Sequence, residues 1–575
     1  MLVGIEPARM TLSLISRVRS LGRGTLAGLA AAASGLAVAE VVAAASKTFQ
    51  SPVLDVADRV VDGVPQSVKR LAIQWFGTND KKALLVGIGS VLVVYSAVLG
   101  VLALGRWWRA AMVGIVVFGL AGAFASQTTR RSAPFVAVIP SVVGALAAGL
   151  VLLALRRVAV PRQSRTAAAV KSETPPTTTG TRTTPSPSTT TSTSTPTPTS
   201  TPTPTSPPPP PTTNPSIAEL TPNDRRRFLV AAGFTTVGAV VVGAGARKVG
   251  TRSNAAASRR SLSLPRASSP LARVPIGAEA GVPGIDSFFT PNASFYRIDT
   301  AITVPQVSLD SWSLKVGGMV KHPLKLRFSD LIERDVVEAD ITLTCVSNEV
   351  GGRLMGTARW LGIRLDSLLK EAGVSSDADQ IVGRSVDGYT CGFPVSALDG
   401  RDALIAIGMN GEPLPLAHGF PARLIVPGLY GYVSATKWLT EIELTRFDAF
   451  DQYWVERGWV DDAPIKVQSR IDTPKGLSKV DAGTVAIGGV AWAQTRGISA
   501  VEVSIDDGEW QAATLADELN DVTWRQWSFA WKATSGRHTI AVRATEKNGP
   551  IQTAQRSEPF PSGATGQHSI VVIVR

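Results

Sequence analysis

The sequence predicts a multi-domain chain: an N-terminal bundle of transmembrane α-helices, an α+β domain, and a C-terminal β-sandwich. Three observations lead there. Apolar segments close to the ~20 residues that a bilayer-spanning helix needs crowd the first 160 positions. From about 285 to 460, helical and strand patterns mix without regular alternation, which favours α+β over a doubly wound sheet. Beyond about 465, apolar and polar residues alternate strictly in short runs, as half-buried strands do.

The membrane part covers 1–160, with four apolar segments near 24–45, 82–104, 109–126 and 134–155. The first is Ala/Gly-rich and holds Glu40, so an interfacial helix stays open beside a span. Arg9, Arg17, Arg19 and Arg23 precede it, Arg106 and Arg109 separate the second and third segments, and Arg156, Arg157, Arg162 and Arg165 follow the fourth. Positive charge stays on the cytoplasmic side, so the N-terminus is expected inside; Arg130 and Arg131 run against the pattern. This flanking charge also accounts for the net charge of +13 without a nucleic-acid partner.

Residues 161–222 form a linker, almost wholly Thr, Pro and Ser over 173–215, too polar to offset its chain entropy by burial. Over 223–248, Asn223-Asp224-Arg225-Arg226-Arg227-Phe228-Leu229 leads into a fifth apolar segment, about 227–246. It resembles an internal twin-arginine signal. Five spans put the C-terminal half outside, in a multi-pass protein of the cell membrane. The four histidines, His322, His418, His538 and His568, all lie beyond the spans, so no histidine pair ligates a haem within them.

In the 285–460 domain Trp312–Val316 reads as a strand, and Ser329 is placed to cap a short helix, Asp330–Arg334. Leu365, Leu368, Leu369 and Ala372 share one helical face that Gly373 would end. Asp387-Gly388 and Asn410-Gly411 mark hairpins. The alternating run Ile341–Thr344 delivers Cys345 to a strand tip, followed by Val-Ser-Asn-Glu-Val-Gly-Gly. A thiolate there suits a soft metal. With only two cysteines, a four-cysteine metal site is excluded, and a Cys345–Cys391 bridge remains the plainer alternative. A second dense stretch carries His418-Gly-Phe-Pro-Ala-Arg423 and then Lys437-Trp438.

The 465–575 domain alternates Val501, Val503 and Ile505 against Glu502 and Ser504 before an Asp506-Asp507-Gly508 turn. Trp527, Phe529 and Trp531 repeat the pattern, and Asn548-Gly549 makes another hairpin. Strands of this length and spacing predict an immunoglobulin-like sandwich.

The cysteine stretch and the His-Gly-Phe-Pro-x-Arg…Lys-Trp pattern together resemble the sulfite oxidase family of molybdenum–molybdopterin enzymes. The resemblance spans the α+β and C-terminal domains. It implies that Cys345 ligates the metal, with Asn348 beside it, and that His418, Arg423 and Lys437 hold the pterin and its phosphate. Phe288–Asp299 aligns with a cofactor-contacting loop, giving Arg297 as an active-site arginine and Asn292 and Tyr296 as cofactor contacts, with Asp299 where the family often has histidine. Two departures bear on substrate. Val350 replaces a further arginine, with Arg353 nearby, and the family's metal-side tyrosine has no clear match beyond Tyr453 or Trp459. The fold so implied is a sulfite-oxidase-like domain followed by a dimerisation domain, hence a homodimer.

The expected function is extracytoplasmic oxygen-atom transfer on a small oxo-anion or sulfoxide-type substrate. An external cytochrome or quinone-linked carrier takes or gives the electrons, since no cytochrome-b5-like segment is present. Loading of such cofactors in the cytoplasm fits export of the folded domain by the twin-arginine route. Two alternatives stay open: a sulfoxide or other oxide reductase fed by quinone-derived electrons, and a cofactor-free membrane-tethered scaffold.

Overall fold

The computed structural model describes residues 6–45, 51–65, 80–128, 135–159 and 252–575, with a few isolated positions between them. The 161–222 linker, the arginine motif and the fifth apolar segment lie outside the described residues, apart from isolated positions. The chain divides into an N-terminal unit, Met1–Arg59 with Gly63–Ala244, and a C-terminal unit, Gly245–Arg575 with Val60–Asp62.

The N-terminal unit contains α1 (Glu6–Ala44), α2 (Pro52–Gly63), α3 (Asp80–Leu104), α4 (Trp108–Thr128) and α5 (Ile139–Ala159). Four stretches are long and apolar enough to cross a membrane: Leu21–Ala44, Ala83–Leu104, Trp108–Gln127 and Phe135–Ala159. Helices associate in lipid through small residues that let backbones approach. Here Gly24 and Gly28 of α1 meet Gly100 of α3, where an added Cβ on Gly28 would lie 1.9 Å from the Ser96 carbonyl oxygen. Gly35 meets Gly144 of α5 in the same way, at 2.6 Å. Val91, Val94, Val116, Leu146 and Leu150 point outward and are exposed.

The C-terminal unit opens with α6 (Arg252–Ser261), fastened by Arg259, whose Nε donates to the Leu414 carbonyl at 2.9 Å. The α+β domain then contains β1 (Ser313–Gly318), β2 (Leu324–Arg327), α7 (Phe328–Ile332), β3 (Val336–Thr344), β4 (Met355–Arg364) and α8 (Leu365–Ala372). It continues with β5 (Gln380–Ser385), β6 (Thr390–Pro394), β7 (Leu404–Met409), β8 (Glu412–Pro413), β9 (Arg423–Ile425), α9 (Gly431–Ser434) and β10 (Leu439–Thr445). One sheet runs β2-β1-β10-β5-β6, with β1 parallel to β10. The other runs β3-β4-β7-β8, with β9 also on β7. In it Thr344 pairs with Met355, so the 345–354 loop is the β3–β4 connection.

α8 buries Leu365, Leu368, Leu369 and Ala372, and Gly373 ends it at φ 67°, as its spacing predicts. Asn410 and Gly411 take positive φ at the β7–β8 turn. The expected cap at Ser329 is corrected: it lies inside α7. Asp330 instead accepts the Arg327 backbone N–H at 2.9 Å, so the helix starts two residues earlier on a better first-turn acceptor. The Cys345–Cys391 bridge is also overturned. Both thiols are free, and Cys391 accepts a hydrogen bond from Thr436 at 2.9 Å.

The last domain contains β11 (Gln468–Thr473), β12 (Lys479–Val480), β13 (Gly483–Trp492), β14 (Ile498–Ile505), β15 (Gln511–Ala512), β16 (Thr514–Leu515), β17 (Arg525–Ala533), β18 (Gly536–Glu546) and β19 (His568–Val574). Sheets β11-β13-β17-β16 and β12-β19-β18-β14-β15 share one core, to which Ile487, Trp527 and Trp531 contribute from one side and Val501, Val503 and Val542 from the other. Ser504, expected outward, is buried because its hydroxyl closes the turn onto the Gly508 carbonyl at 2.8 Å. This domain clamps β3: Thr342 N–H donates to Val522 O at 3.1 Å, and Trp524 N–H to Thr342 Oγ1 at 2.8 Å.

Candidate active site

The site begins where β3 ends. Cys345 follows a buried run and is itself 8% exposed. The β3–β4 loop folds back onto it: Cys345 N–H donates to Leu354 O at 2.9 Å, and Asn348 N–H to Cys345 O at 3.0 Å. Asn348 Oδ1 accepts the Leu354 N–H at 2.8 Å, locking the loop, while its Nδ2 finds no partner among the described residues. Burial pushes the Cys345 thiol pKa up, opposed by hydrogen bonds at Ser347 and the charge of Lys437.

Cys345 lines a cleft whose wall includes Tyr296, Asp299, Asp387, Arg423 and Lys437. Arg423, on β9 and only 3% exposed, donates from Nη1 to the His418 carbonyl at 3.2 Å and lies 5.1 Å from the Trp360 ring centre. Its Nε has no partner, and no carboxylate pairs with it among the described residues. Burial lowers its pKa to about 10. Lys437 Nζ donates to Ile298 O at 2.9 Å and to Asp299 Oδ2 at 3.0 Å. Burial lowers its pKa to about 8, against the pull of Asp299.

His418 ends a tight turn closed by Gly419 at φ 110°, where a side chain would press on Lys437 at 3.1 Å. That close approach brings the histidine and lysine segments together. His418 Nε2 lies 3.2 Å from the Asn292 carbonyl, which can only accept, so Nε2 carries the proton. Burial first, then Arg423 and Lys437, lower the His418 pKa to about 4. The ring is therefore neutral at pH 7, with an acceptor Nδ1 that has no partner among the described residues.

The structure thus brings Cys345, Tyr296, Arg423 and Lys437 to one cleft, with Asn348 and His418 hydrogen-bonded to that wall. Asn292 and Arg297 are not on the wall. The Asn292 amide bridges Met409 O (3.2 Å) and Asn410 Nδ2 (2.9 Å), and its carbonyl fixes His418. Arg297 grips Asp299 at 2.7 and 3.3 Å instead of facing the cleft. Arg353 pairs with Asp286, and neither it, Tyr453 nor Trp459 lines the cleft.

Sequence reasoning missed Asp387, Tyr389, Tyr432 and Trp454 on the wall. The Asp-Gly turn signal hid a carboxyl group whose pKa burial raises, against a lowering hydrogen bond from Ser385. Tyr389 Oη donates to Tyr432 O at 2.7 Å.

The cleft's unanswered polar atoms bear on whether a molybdenum–pterin group fits here. Leaving a cation or amide buried and unanswered costs several kcal/mol. Around this cleft, Asn348 Nδ2, Arg423 Nε and His418 Nδ1 are all unanswered among the described residues. A soft-metal thiol, two cations, an amide donor and an imidazole acceptor suit a ligand with a metal, an anionic tail and a mixed donor–acceptor ring. The residues fit the group.

Residues 301–454 match the family described as oxidoreductase molybdopterin binding domain. The chain is 29% identical over 305 residues to the mitochondrial sulfite oxidase of Homo sapiens, covering 45% of this chain and 55% of that protein. It thus spans about half the length of that relative. It is 32% identical over 151 residues to the uncharacterized oxidoreductase YuiH of Bacillus subtilis (strain 168), covering 26% of this chain and 73% of that one. Among solved structures, the sulfane dehydrogenase SoxCD of Paracoccus pantotrophus aligns with a TM-score of 0.45 at 20% identity, over 54% of this chain and 90% of that one.

Proposed function

The chain belongs to the sulfite oxidase family of molybdopterin-dependent oxidoreductases, and from that premise we propose that it is a membrane-anchored, extracytoplasmic oxygen-atom-transfer enzyme. When bound, its molybdenum cofactor supplies the two-electron oxygen exchange. The protein's own groups hold and orient. Cys345, as the thiolate, would be the metal's protein ligand. Arg423 and Lys437 would hold the cofactor's anionic tail, and Asn348 Nδ2 and His418 Nδ1 would offer it a donor and an acceptor. Tyr296 forms wall, stacked on Phe295 at 5.4 Å between ring centres. Arg297 and Asn292 are positioning residues, acting through Asp299 and His418. The observation that carries this reading is the buried Arg423, without a carboxylate partner among the described residues, beside a strand-end thiol.

The four membrane-length helices and their arginine flanks support the anchor. The Arg225–Arg227 motif supports export of a folded, loaded domain. The two-sheet sandwich supports the immunoglobulin-like reading, and with it a homodimer. With no histidine before His322, electrons pass to or from an external cytochrome or quinone-linked carrier. X-ray absorption at the molybdenum edge tests the ligand assignment. Cys345→Ser is expected to lose one sulfur from the metal's shell while keeping pterin. An unchanged sulfur shell would show that the thiol is not a ligand.

A further inference from the structure

Resting on the membrane-anchor reading above, we infer that the α3–α4 turn and the end of α5 bind an anionic phospholipid, its headgroup on Arg109 and Arg156 and an acyl chain in the apolar cleft beside them. Charge marks the head end. The Arg156 guanidinium lies 4.9 Å and that of Arg109 5.7 Å from the Trp108 ring centre, while that of Arg106 lies 5.5 Å from Trp107. No carboxylate pairs with any of the three among the described residues. Arg156 is more than a loose flank. It is half-buried, and its Nε donates at 3.0 Å to the carbonyl of Ala103, in the last turn of α3, where carbonyls have no partner within the helix. Both Nη groups stay available to an anion. α4 begins with Trp108 and Arg109 and has no acid in its first turn, so a cation stands at the positive end of the helix dipole. Cations gathered this closely repel one another, and a phosphate group relieves them together. Tryptophan and arginine at the ends of membrane-length helices also lie at the level of lipid headgroups.

The tail end is a cleft among the same helices. Leu99 and Leu152, one turn from Ala103 and Arg156 on α3 and α5, line it together with Ile115 and Phe118 of α4. Along α5 it runs from Leu152 to Ser141, about 16 Å of helix. One leaflet of bilayer hydrocarbon is about 15 Å thick. No charged residue lines the cleft among the described residues, and Gly119 and Ala148 leave parts of its wall without long side chains. A leaflet-length apolar slot that starts one turn from unpaired cations fits a molecule carrying both an anionic head and a hydrocarbon chain. Free phosphate would leave the slot unused.

Native mass spectrometry of the full-length protein in detergent reads the preference, with phosphatidylglycerol, phosphatidylcholine of the same chains and inorganic phosphate as probes. Phosphatidylglycerol is expected to bind at least about tenfold more tightly than phosphatidylcholine. Arg109→Gln and Arg156→Gln should each weaken the anionic lipid by about fivefold. Arg157→Gln removes a neighbouring exposed charge that has no tryptophan contact, and should change it by less than about twofold. Inorganic phosphate should not displace the lipid. Equal binding of the two lipids, an equal loss at Arg157, or displacement by phosphate overturns the inference. Should the arginine variants fail to fold, the wild-type ratio still decides. Carbonate extraction of the membranes separates the two failures. Protein released into the wash sinks the anchor reading, whereas embedded protein with no preference for the anionic lipid sinks this one.

Discussion

Arg423 is placed at a cost that the protein alone does not recover. A buried guanidinium without an anion is expensive, and removing it relieves the empty protein while harming the loaded one. Arg423→Met is therefore expected to leave cofactor-free protein as stable or more stable by about 1–2 kcal/mol in denaturant titration. Pterin content after expression with cofactor should fall more than tenfold. His568 gives a second residue-scale prediction. Its Nδ1 accepts the Ile471 N–H at 3.0 Å, and burial with Arg470 nearby lowers its pKa to about 4. Below the unfolded value near 6.5, the unfolded chain takes up a proton that the folded ring refuses. Stability is thus fully present above about pH 6.5 and declines as pH falls towards 4, by about 3 kcal/mol in all. Thermal melts across that range should show the decline, and His568→Gln should flatten it. Of the site, Cys345, His418, Arg423 and Lys437 were legible because their types and spacing are unusual together. Asp387 and Tyr389 were not, because a turn dipeptide explains itself locally, and only the folding of β5–β6 onto the cleft gives them another role.

At the scale of elements, the N-terminal helices are held by backbone contact. A Gly28→Leu side chain has no room against the Ser96 carbonyl. It should separate α1 from α3, read as faster protease cleavage of the N-terminal unit in membranes. α8 is ordinary core: Leu368 is fully buried, and Leu368→Ala should cost about 2–5 kcal/mol. That helix was readable from its 3.6-residue period and its terminal glycine. The start of α7 was not, because Ser329 and Asp330 both suit a helix end and only the observed bond to Arg327 N–H chooses between them. The strands of the sandwich followed from alternation, whereas Ser504 broke it for a hydrogen bond that the pattern does not encode.

At the scale of the catalytic half, the sandwich completes the site's support. Arg470, 2% exposed, bonds Asp472 at 2.6 Å and Asp286 at 2.7 Å, and donates to the Gly352 carbonyl of the Cys345 loop at 3.1 Å. Arg470→Ala leaves the buried Asp472 without a cation, while Asp286 keeps Arg353, and should cost about 3–5 kcal/mol. Hydrogen exchange should show the Cys345 and Asn348 amides opening faster. This linkage had no sequence signal, since its partners lie far apart in the chain and meet only when the domains pack.

The most direct measurement is the molybdenum and pterin content of full-length protein purified from a host that makes the cofactor. About one metal and one pterin per chain are expected, with both reduced by Arg423→Met. Protein that is folded, well populated and free of both metal and pterin would contradict the assignment of this cleft as a molybdenum–pterin site.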